Sequence, residues 1–173
     1  MKARVGIPVS VKLPPYFSAV ANVVARLESI SADGAVLFNR FYRPDFNLET
    51  LSVTRQAALS TISDIHLPLT WIALLSRRLR VSLAAGTGVD SHVEVVKFLL
   101  AGADVVTTAS ALLRHGPEHM ASLVDGLKRW LSESPFASIE EARGRLDASH
   151  LDHADAFLRA QYLRTLSPVS YAS

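Results

Sequence analysis

Short apolar runs recur along the chain and predict buried β-strands. Four of them stand out, at residues 8–13, 34–39, 81–85 and 103–108. Apolar stretches of this length without polar alternation are typical of parallel strands that are covered on both faces. The runs therefore predict four parallel strands.

Helical patterns separate these runs. Residues 17–30, 71–79 and 91–101 carry apolar side chains at the spacing of an amphipathic helix. Strands that alternate with helices form right-handed βαβ units around a parallel sheet. The predicted fold class is therefore α/β, with about four βα units.

One connection between these elements is unusually long. It runs over residues 40–69, and inside it residues 48–53 and 57–61 could pair as a small hairpin. Long loops at the C-terminal ends of parallel strands often serve a functional site.

Further helices are predicted after the fourth strand. Residues 118–131 are amphipathic, and Ser138 and Glu141 have the spacing of a capping box before a short helix. Residues 152–166 predict a last helix. The chain ends in a helical tail on this interpretation.

Composition places the chain among globular proteins, since 49% of its residues are hydrophobic and 20% are charged. The net charge is only +2, and the one tight basic cluster is Arg77, Arg78 and Arg80. Because no aromatic residues are interleaved with it, we interpret the cluster as the solvated end of a helix. Nucleic acid is not an expected partner.

Cysteine usage and apolar run length indicate the compartment. The sequence has no cysteine, which excludes disulfides and thiolate chemistry and fits a reducing environment. The longest apolar runs, such as 81–85 and 98–101, are far shorter than the roughly 18 residues that span a bilayer. Pro8 and Lys12 interrupt any signal-like stretch. A cytoplasmic protein without a membrane segment is expected.

The histidines do not predict a metal site. His115 and His119 have the spacing of a metal pair on one helix face, but no third ligand is suggested nearby, so both are expected on the surface. The other four lack ligand spacing and are also expected to be exposed: His66, His92, His150 and His153.

Polar and glycine residues follow each predicted strand, where loops of a parallel sheet converge. Lys12 ends the first strand, Asn39 ends the second, and a Gly86-Thr87-Gly88 turn follows the third. Ala109 and Ser110 follow the fourth. The last two turns have the pattern of a phosphate cradle, in which backbone N–H groups and a helix N-terminus face an anion.

Five segments in a fixed order carry a family resemblance. They are VKLPPYF at residues 11–17, DGAVLFNR at 33–40, the Gly86 turn, AGADVV at 101–106 and SALL at 110–113. Together they resemble the later half of the class 1 dihydroorotate dehydrogenases and their relatives. The resemblance implies the C-terminal half of an FMN-binding (β/α)8 barrel of TIM type, from a flavoprotein oxidoreductase of pyrimidine biosynthesis that acts on CH–CH bonds.

The resemblance also implies roles for single residues. Lys12 would lie beside the pyrimidine edge of the flavin, where an ammonium group stabilises negative charge on the reduced ring. Asn39 would hydrogen-bond to the flavin or to a planar, imide-like substrate such as dihydroorotate. The FMN phosphate would be held by the two turns: Gly86, Thr87, Gly88, Ala109 and Ser110.

Two positions depart from the family pattern. The family usually has two adjacent glycines where this chain has Thr87-Gly88, and a glycine where it has Ala109. If the first position needs a positive φ angle, Thr87 weakens the cradle. Both changes indicate relaxed constraint on the two phosphate-binding turns.

Length is a further departure. A (β/α)8 barrel typically needs about 250 residues, whereas this chain has 173, with half a barrel expected at residues 1–135 and the helical tail of the same domain at 136–173. In the family the catalytic base, a Cys or Ser, precedes the motif at 11–17. We therefore expect a truncated chain that lacks the base, and no catalytic residue is assigned.

Three hypotheses remain open at this level. The chain is half of a working FMN-dependent enzyme, or a non-catalytic FMN-binding remnant that self-associates or joins a complementing half-barrel chain. A phosphate-binding barrel enzyme without flavin, such as an isomerase or aldolase, is the third. Lys12 could also be only a polar strand end, and Asn39 a turn residue.

Overall fold

The computed structural model describes residues 5–40, 44–54 and 59–150, and these form strands and helices that alternate in the main sheet, a hairpin and a helical end. The strands are β1 Ser10–Leu13, β2 Gly34–Leu37, β3 Asp45–Asn47, β4 Ser52–Thr54, β5 Ser82–Ala85 and β6 Val105–Val106. The helices are α1 Val20–Ser29, α2 His66–Leu75, α3 His92–Ala101, α4 Ser110–His115, α5 His119–Glu133 and α6 Ile139–Ala142. Short 3-10 turns lie at Ile62–Ile65 and Ala148–His150.

The main sheet contains four parallel strands in the order β1-β2-β5-β6. Its register pairs Lys12 with Val36, Val36 with Ala84, and Ala84 with Val105. Each strand therefore lies beside its neighbour along the chain, with helices in the crossovers. The predicted α/β fold with a parallel sheet is confirmed. Within the described residues the sheet is open, with β1 and β6 at its edges.

One face of this sheet packs against helices α1, α2 and α3. Apolar side chains from these helices form one buried cluster with alternate strand residues, and α2 contacts both α1 and α3. The fully buried members are Val24, Ala35, Leu37, Ile72, Ala85, Phe98 and Ala103. Because side chains alternate along a strand, the other residues of each strand face away from these helices.

That opposite face, which we call the open face, carries small and polar side chains. One row across the strands is Ser10, Gly34 and Ser82, and the next row includes Lys12 and Val105. All of these except Gly34 are exposed. Within the described residues, helices cover the strands on one face, and the expected cover on the other face is not seen there.

The long connection folds differently from its prediction. Its antiparallel hairpin pairs Asp45–Asn47 with Ser52–Thr54. The predicted hairpin joined residues 48–53 to 57–61, a range that begins outside the described residues. The Asn47 side chain accepts hydrogen bonds from the N–H groups of Glu49 and Thr50. An Asn side chain that bonds the following backbone stabilises a tight turn, so the strand reversal starts earlier than the apolar pattern suggested.

Helix α2 also begins earlier than predicted, at His66 instead of residue 71. Pro68 lies in its first turn, where the N–H that proline lacks has no partner within a helix. The preceding 3-10 turn is capped by Thr61, whose N–H and hydroxyl donate to Asp64 Oδ2 at 2.8 and 3.2 Å.

The caps of α3 and α6 fit the sequence pattern. Ser91 and Glu94 form a capping box at the start of α3, and Gly102 ends that helix at φ +106°. The Ser138 hydroxyl accepts from Glu141 N–H before α6, as its spacing predicts. The predicted helix at 152–166 lies outside the described residues. None of the helices described is long and apolar enough to cross a membrane.

A buried carboxylate joins the tail to the end of α2. Asp147 is fully buried and accepts hydrogen bonds from Arg77 Nε at 2.9 Å and from the hydroxyl and N–H of Ser149, and His150 Nδ1 lies 3.0 Å away. Burial by itself raises the pKa of Asp147, but the hydrogen bonds from Ser149, His150 and Arg77 outweigh it and hold the pKa below its usual value. The ionised carboxylate therefore stabilises this junction.

Candidate functional site

The C-terminal ends of the four parallel strands surround a pocket of about 210 Å³. Six of the seven residues predicted from the sequence line it: Lys12, Asn39, Gly86, Thr87, Ala109 and Ser110. The seventh, Gly88, lies behind the turn against Ile65. The fold thus brings together residues that are up to 98 positions apart.

Lys12 and Asn39 contribute the two polar groups on the β1 and β2 side. Both side chains are exposed, and neither makes a hydrogen bond or ion pair with the part of the chain that the structure describes. An ammonium group and an amide in this position can donate three and two hydrogens, respectively. They are available to a ligand.

The Gly86-Thr87-Gly88 turn needs two left-handed residues in succession. Thr87 has φ +80° and Gly88 has φ +79°. A β-branched residue is strained in this region, by about 1–3 kcal/mol, whereas glycine adopts it freely. The Thr87 hydroxyl donates to the carbonyl of Phe38 at 3.2 Å, which helps to hold the turn. The condition under which Thr87 was expected to weaken the cradle is therefore met.

Ala109 does not create the same strain. Its φ of −129° is open to any residue, so the glycine expected here from the family pattern is not required by the backbone. Beside it, the Ser110 hydroxyl accepts a hydrogen bond from Ser60 N–H at 2.9 Å. Ser60 is itself buried and lines the pocket.

Sequence reasoning missed several lining residues. Ser60 comes from the long connection, and Thr107 and Thr108 donate their hydroxyls to the carbonyls of Ala85 and Val89. No spacing rule links Ser60 to a serine fifty positions away. The hydroxyl-rich run 107–110 was the one available signal.

Arg40 also lines the pocket and was not predicted as a site residue. Its Nη1 lies 2.6 Å from Asp64 Oδ2. Burial raises the pKa of Asp64, but hydrogen bonds from Arg40 and Thr61 together hold it below the usual value. Arg40 also lines an adjoining pocket of about 400 Å³, which reaches Tyr16 and the start of α2.

The electrostatics of the smaller pocket favour an anion. Lys12 and Arg40 are its two cationic residues, and none of the described residues that line it is acidic. Backbone groups of a glycine turn and several hydroxyls complete the lining. Such a set of donors suits phosphate or carboxylate oxygens.

His115 and His119 do not share a helix face, although their spacing allowed one. Helix α4 ends at His115 and α5 begins at His119, with Gly116 between them. His115 is exposed, but His119 is half-buried and its Nε2 lies 2.7 Å from the Asp90 carbonyl. His92 is also half-buried, unlike its prediction. No group of metal-ligating side chains occurs within the described ranges.

Comparison with curated proteins gives one consistent result. The chain is 25% identical over 142 residues to the catalytic subunit of dihydroorotate dehydrogenase B (NAD(+)) from Bacillus pumilus and from Bacillus mycoides. Each match covers 80% of this chain and 46% of the relative. The chain is similar to part of the dihydroorotate dehydrogenases. The resemblance predicted from the sequence is confirmed.

Solved dihydroorotate dehydrogenases share the fold. The ligand-free structure from Eimeria tenella gives a TM-score of 0.64 at 15% identity and covers 79% of this chain. The complex of the same enzyme with ferulenol gives 0.63 at 17% identity and covers 83%. This chain covers 39% of either structure, and it spans about half the length of the curated dihydroorotate dehydrogenases, at 46%. No protein-family model matches the chain.

Proposed function

We propose that this chain is the C-terminal half of an FMN-binding (β/α)8 barrel, and that it holds the flavin of a dihydroorotate dehydrogenase-like oxidoreductase. The observation that carries the proposal is the convergence of Lys12, Asn39 and the two phosphate-type turns on one pocket. The similarity to dihydroorotate dehydrogenases supports the choice of flavin over other phosphate ligands.

The residues present fit FMN. The two adjoining pockets, about 210 and 400 Å³, share Asn39, Arg40 and Thr87, and binding sites for cofactors of this size have volumes of about 300–1,000 Å³. The smaller pocket has a cationic lining without a carboxylate among its described residues, which suits the phosphate. The Lys12 and Asn39 side chains, which have no partner within the described residues, suit the polar edge of the ring. The Gly86–Gly88 turn and Ser110 would hold the phosphate.

The chemistry divides between cofactor and protein. FMN, when bound, supplies two-electron transfer at its ring. Lys12 would orient the ring and stabilise negative charge at its edge, and Asn39 would hold the ring or the substrate by its amide. The proposed substrate is a dihydroorotate-like molecule oxidised at a CH–CH bond, and the base would come from the other half of the barrel.

Flavin binding tests this function directly. We expect the purified protein to take up FMN with a yellow absorbance band and quenched fluorescence. Lys12→Ala is expected to weaken FMN binding about tenfold to a hundredfold, because a hydrogen bond to a charged group is worth about 1.5–3 kcal/mol. Lys128→Ala, at an exposed position on α5, is the matched control and should bind like the wild type.

Two results would count against the proposal. A colourless protein without measurable FMN affinity overturns it. A thermal shift with a sugar phosphate that exceeds the shift with FMN would favour the alternative of a barrel enzyme that uses no flavin.

The open face supports a second part of the proposal, that another barrel half packs there. Ser10, Lys12, Ser82 and Val105 are exposed on it, and strands β1 and β6 have unpaired edges within the described residues. Unpaired strand edges favour association, and Val105 is an apolar side chain left exposed on this face. The other half would be a second copy or a complementing half-barrel chain.

Sedimentation velocity at micromolar concentration tests this association. The wild type is expected to form a dimer, and Val105→Lys is expected to shift it to monomer, because the substitution buries a charge in the interface. Val124→Lys changes an exposed position on α5. This variant is the control and should remain dimeric. A compact wild-type monomer would contradict self-association and leave a complementing half-barrel chain as the other half.

A further inference from the structure

Ser60 is held from both sides at the rim of the pocket. Its N–H donates to Ser110 Oγ at 2.9 Å, and its carbonyl accepts from Arg114 Nη2 at 2.8 Å. The other terminal nitrogen of Arg114 forms an ion pair with Asp90 Oδ1. One guanidinium group thereby holds three segments of the chain together: the long connection, the turn after β5 and helix α4.

This arrangement determines what the Ser110 hydroxyl can do. A serine hydroxyl has one hydrogen to donate and two lone pairs that accept. One lone pair is used by Ser60 N–H, and the hydroxyl makes no further hydrogen bond with the described residues. Its hydrogen is therefore free to donate to a ligand in the pocket that Ser110 lines.

We propose that Arg114 is a positioning residue for anion binding: by holding the Ser60 backbone, it turns the Ser110 hydroxyl into a donor toward a tetrahedral oxyanion such as a phosphate group. The inference rests on the proposed function for the identity of the phosphate ligand. Arg114 does not line the pocket, so its effect passes through Ser60.

Arginine is suited to this task in a way that lysine is not. The planar guanidinium reaches the Asp90 carboxylate and the Ser60 carbonyl at the same time from separate nitrogens. A lysine ammonium is a single point that cannot span both acceptors with the same geometry. Arg114→Lys should therefore restore only part of the function lost in Arg114→Ala.

The affinity ratio between FMN and riboflavin, which lacks the phosphate, tests the inference. We expect the FMN preference to fall about tenfold in Arg114→Ala and in Ser110→Ala, because each loses one hydrogen bond to a charged group. The double variant should lose no more than either single variant, since both act on one contact. Arg129→Ala, exposed on α5, is the control.

The outcomes separate this inference from the proposed function. If flavin binds but Arg114→Ala weakens FMN and riboflavin equally, or neither, Arg114 is not a positioning residue for the anion. If the wild type binds no flavin, thermal shift with inorganic phosphate decides: a shift lost in both variants supports the inference although the flavin proposal fails. The absence of any phosphate shift in the wild type overturns the inference as well.

Discussion

Replacement of Gly88 by alanine is expected to lower the free energy of unfolding by about 3 kcal/mol. The alanine Cβ would lie 2.6 Å from the backbone nitrogen of Ile65 and 2.9 Å from its Cα. Backbone atoms cannot move aside as a side chain can, and the φ of +79° adds strain of its own. For a chain of this size the loss corresponds to a fall in Tm of about 6–12 °C.

Urea denaturation followed by circular dichroism measures this change. Gly6→Ala is the matched control, because a Cβ there meets no atom within 4 Å, and its effect should stay within about 0.5 kcal/mol. Equal stabilities for the two variants would mean that the turn does not pack against the start of α2 as described.

The second large effect concerns Asp147 and depends on pH. Asp147→Asn is expected to cost about 2 kcal/mol at pH 7, because the buried site loses an ionised acceptor that serves Ser149, Arg77 and His150. The folded-state pKa of Asp147 is lowered. Its contribution is therefore present above the unfolded-state pKa of about 3.9 and is lost as the pH falls through the lower, folded-state pKa.

The measurement is the difference in unfolding free energy between wild type and variant at several pH values. The difference in unfolding free energy should have its full value at pH 5–7 and should decrease below about pH 4. Asp125→Asn is the control, since Asp125 forms only an exposed pair with Lys128, which is worth about 0–1 kcal/mol. A difference that is the same at pH 3 and pH 7 would show that the carboxylate charge is not responsible.

Local patterns were sufficient to predict most of the sheet and its helices. The four apolar runs and the capping spacing of Ser138 and Glu141 depend on neighbours in sequence, and each appears in the structure within a few residues. The ends of the helices and strands were less predictable. Helix α2 begins five residues before its predicted start, because its first turn tolerates Pro68, and only two residues of the last run pair as β6.

The candidate site could be predicted only where it follows strand ends. Lys12 and Asn39 were found because parallel strands bring their C-terminal ends to one edge. Ser60 and Arg114 depend on long-range contacts between the connection and α4, and no periodicity encodes such contacts. The positive φ angle of Thr87 likewise follows from the turn geometry and not from residue type.

Lys12 belongs to two surfaces at once, since it lies in a row of the open face and also lines the pocket in which we propose that the flavin binds. A barrel half that packs on the open face would desolvate the Lys12 ammonium group, which is also the group that we propose contacts the flavin. Assembly and cofactor retention would then be thermodynamically linked, so that dilution of the protein loosens FMN and added FMN tightens the assembly.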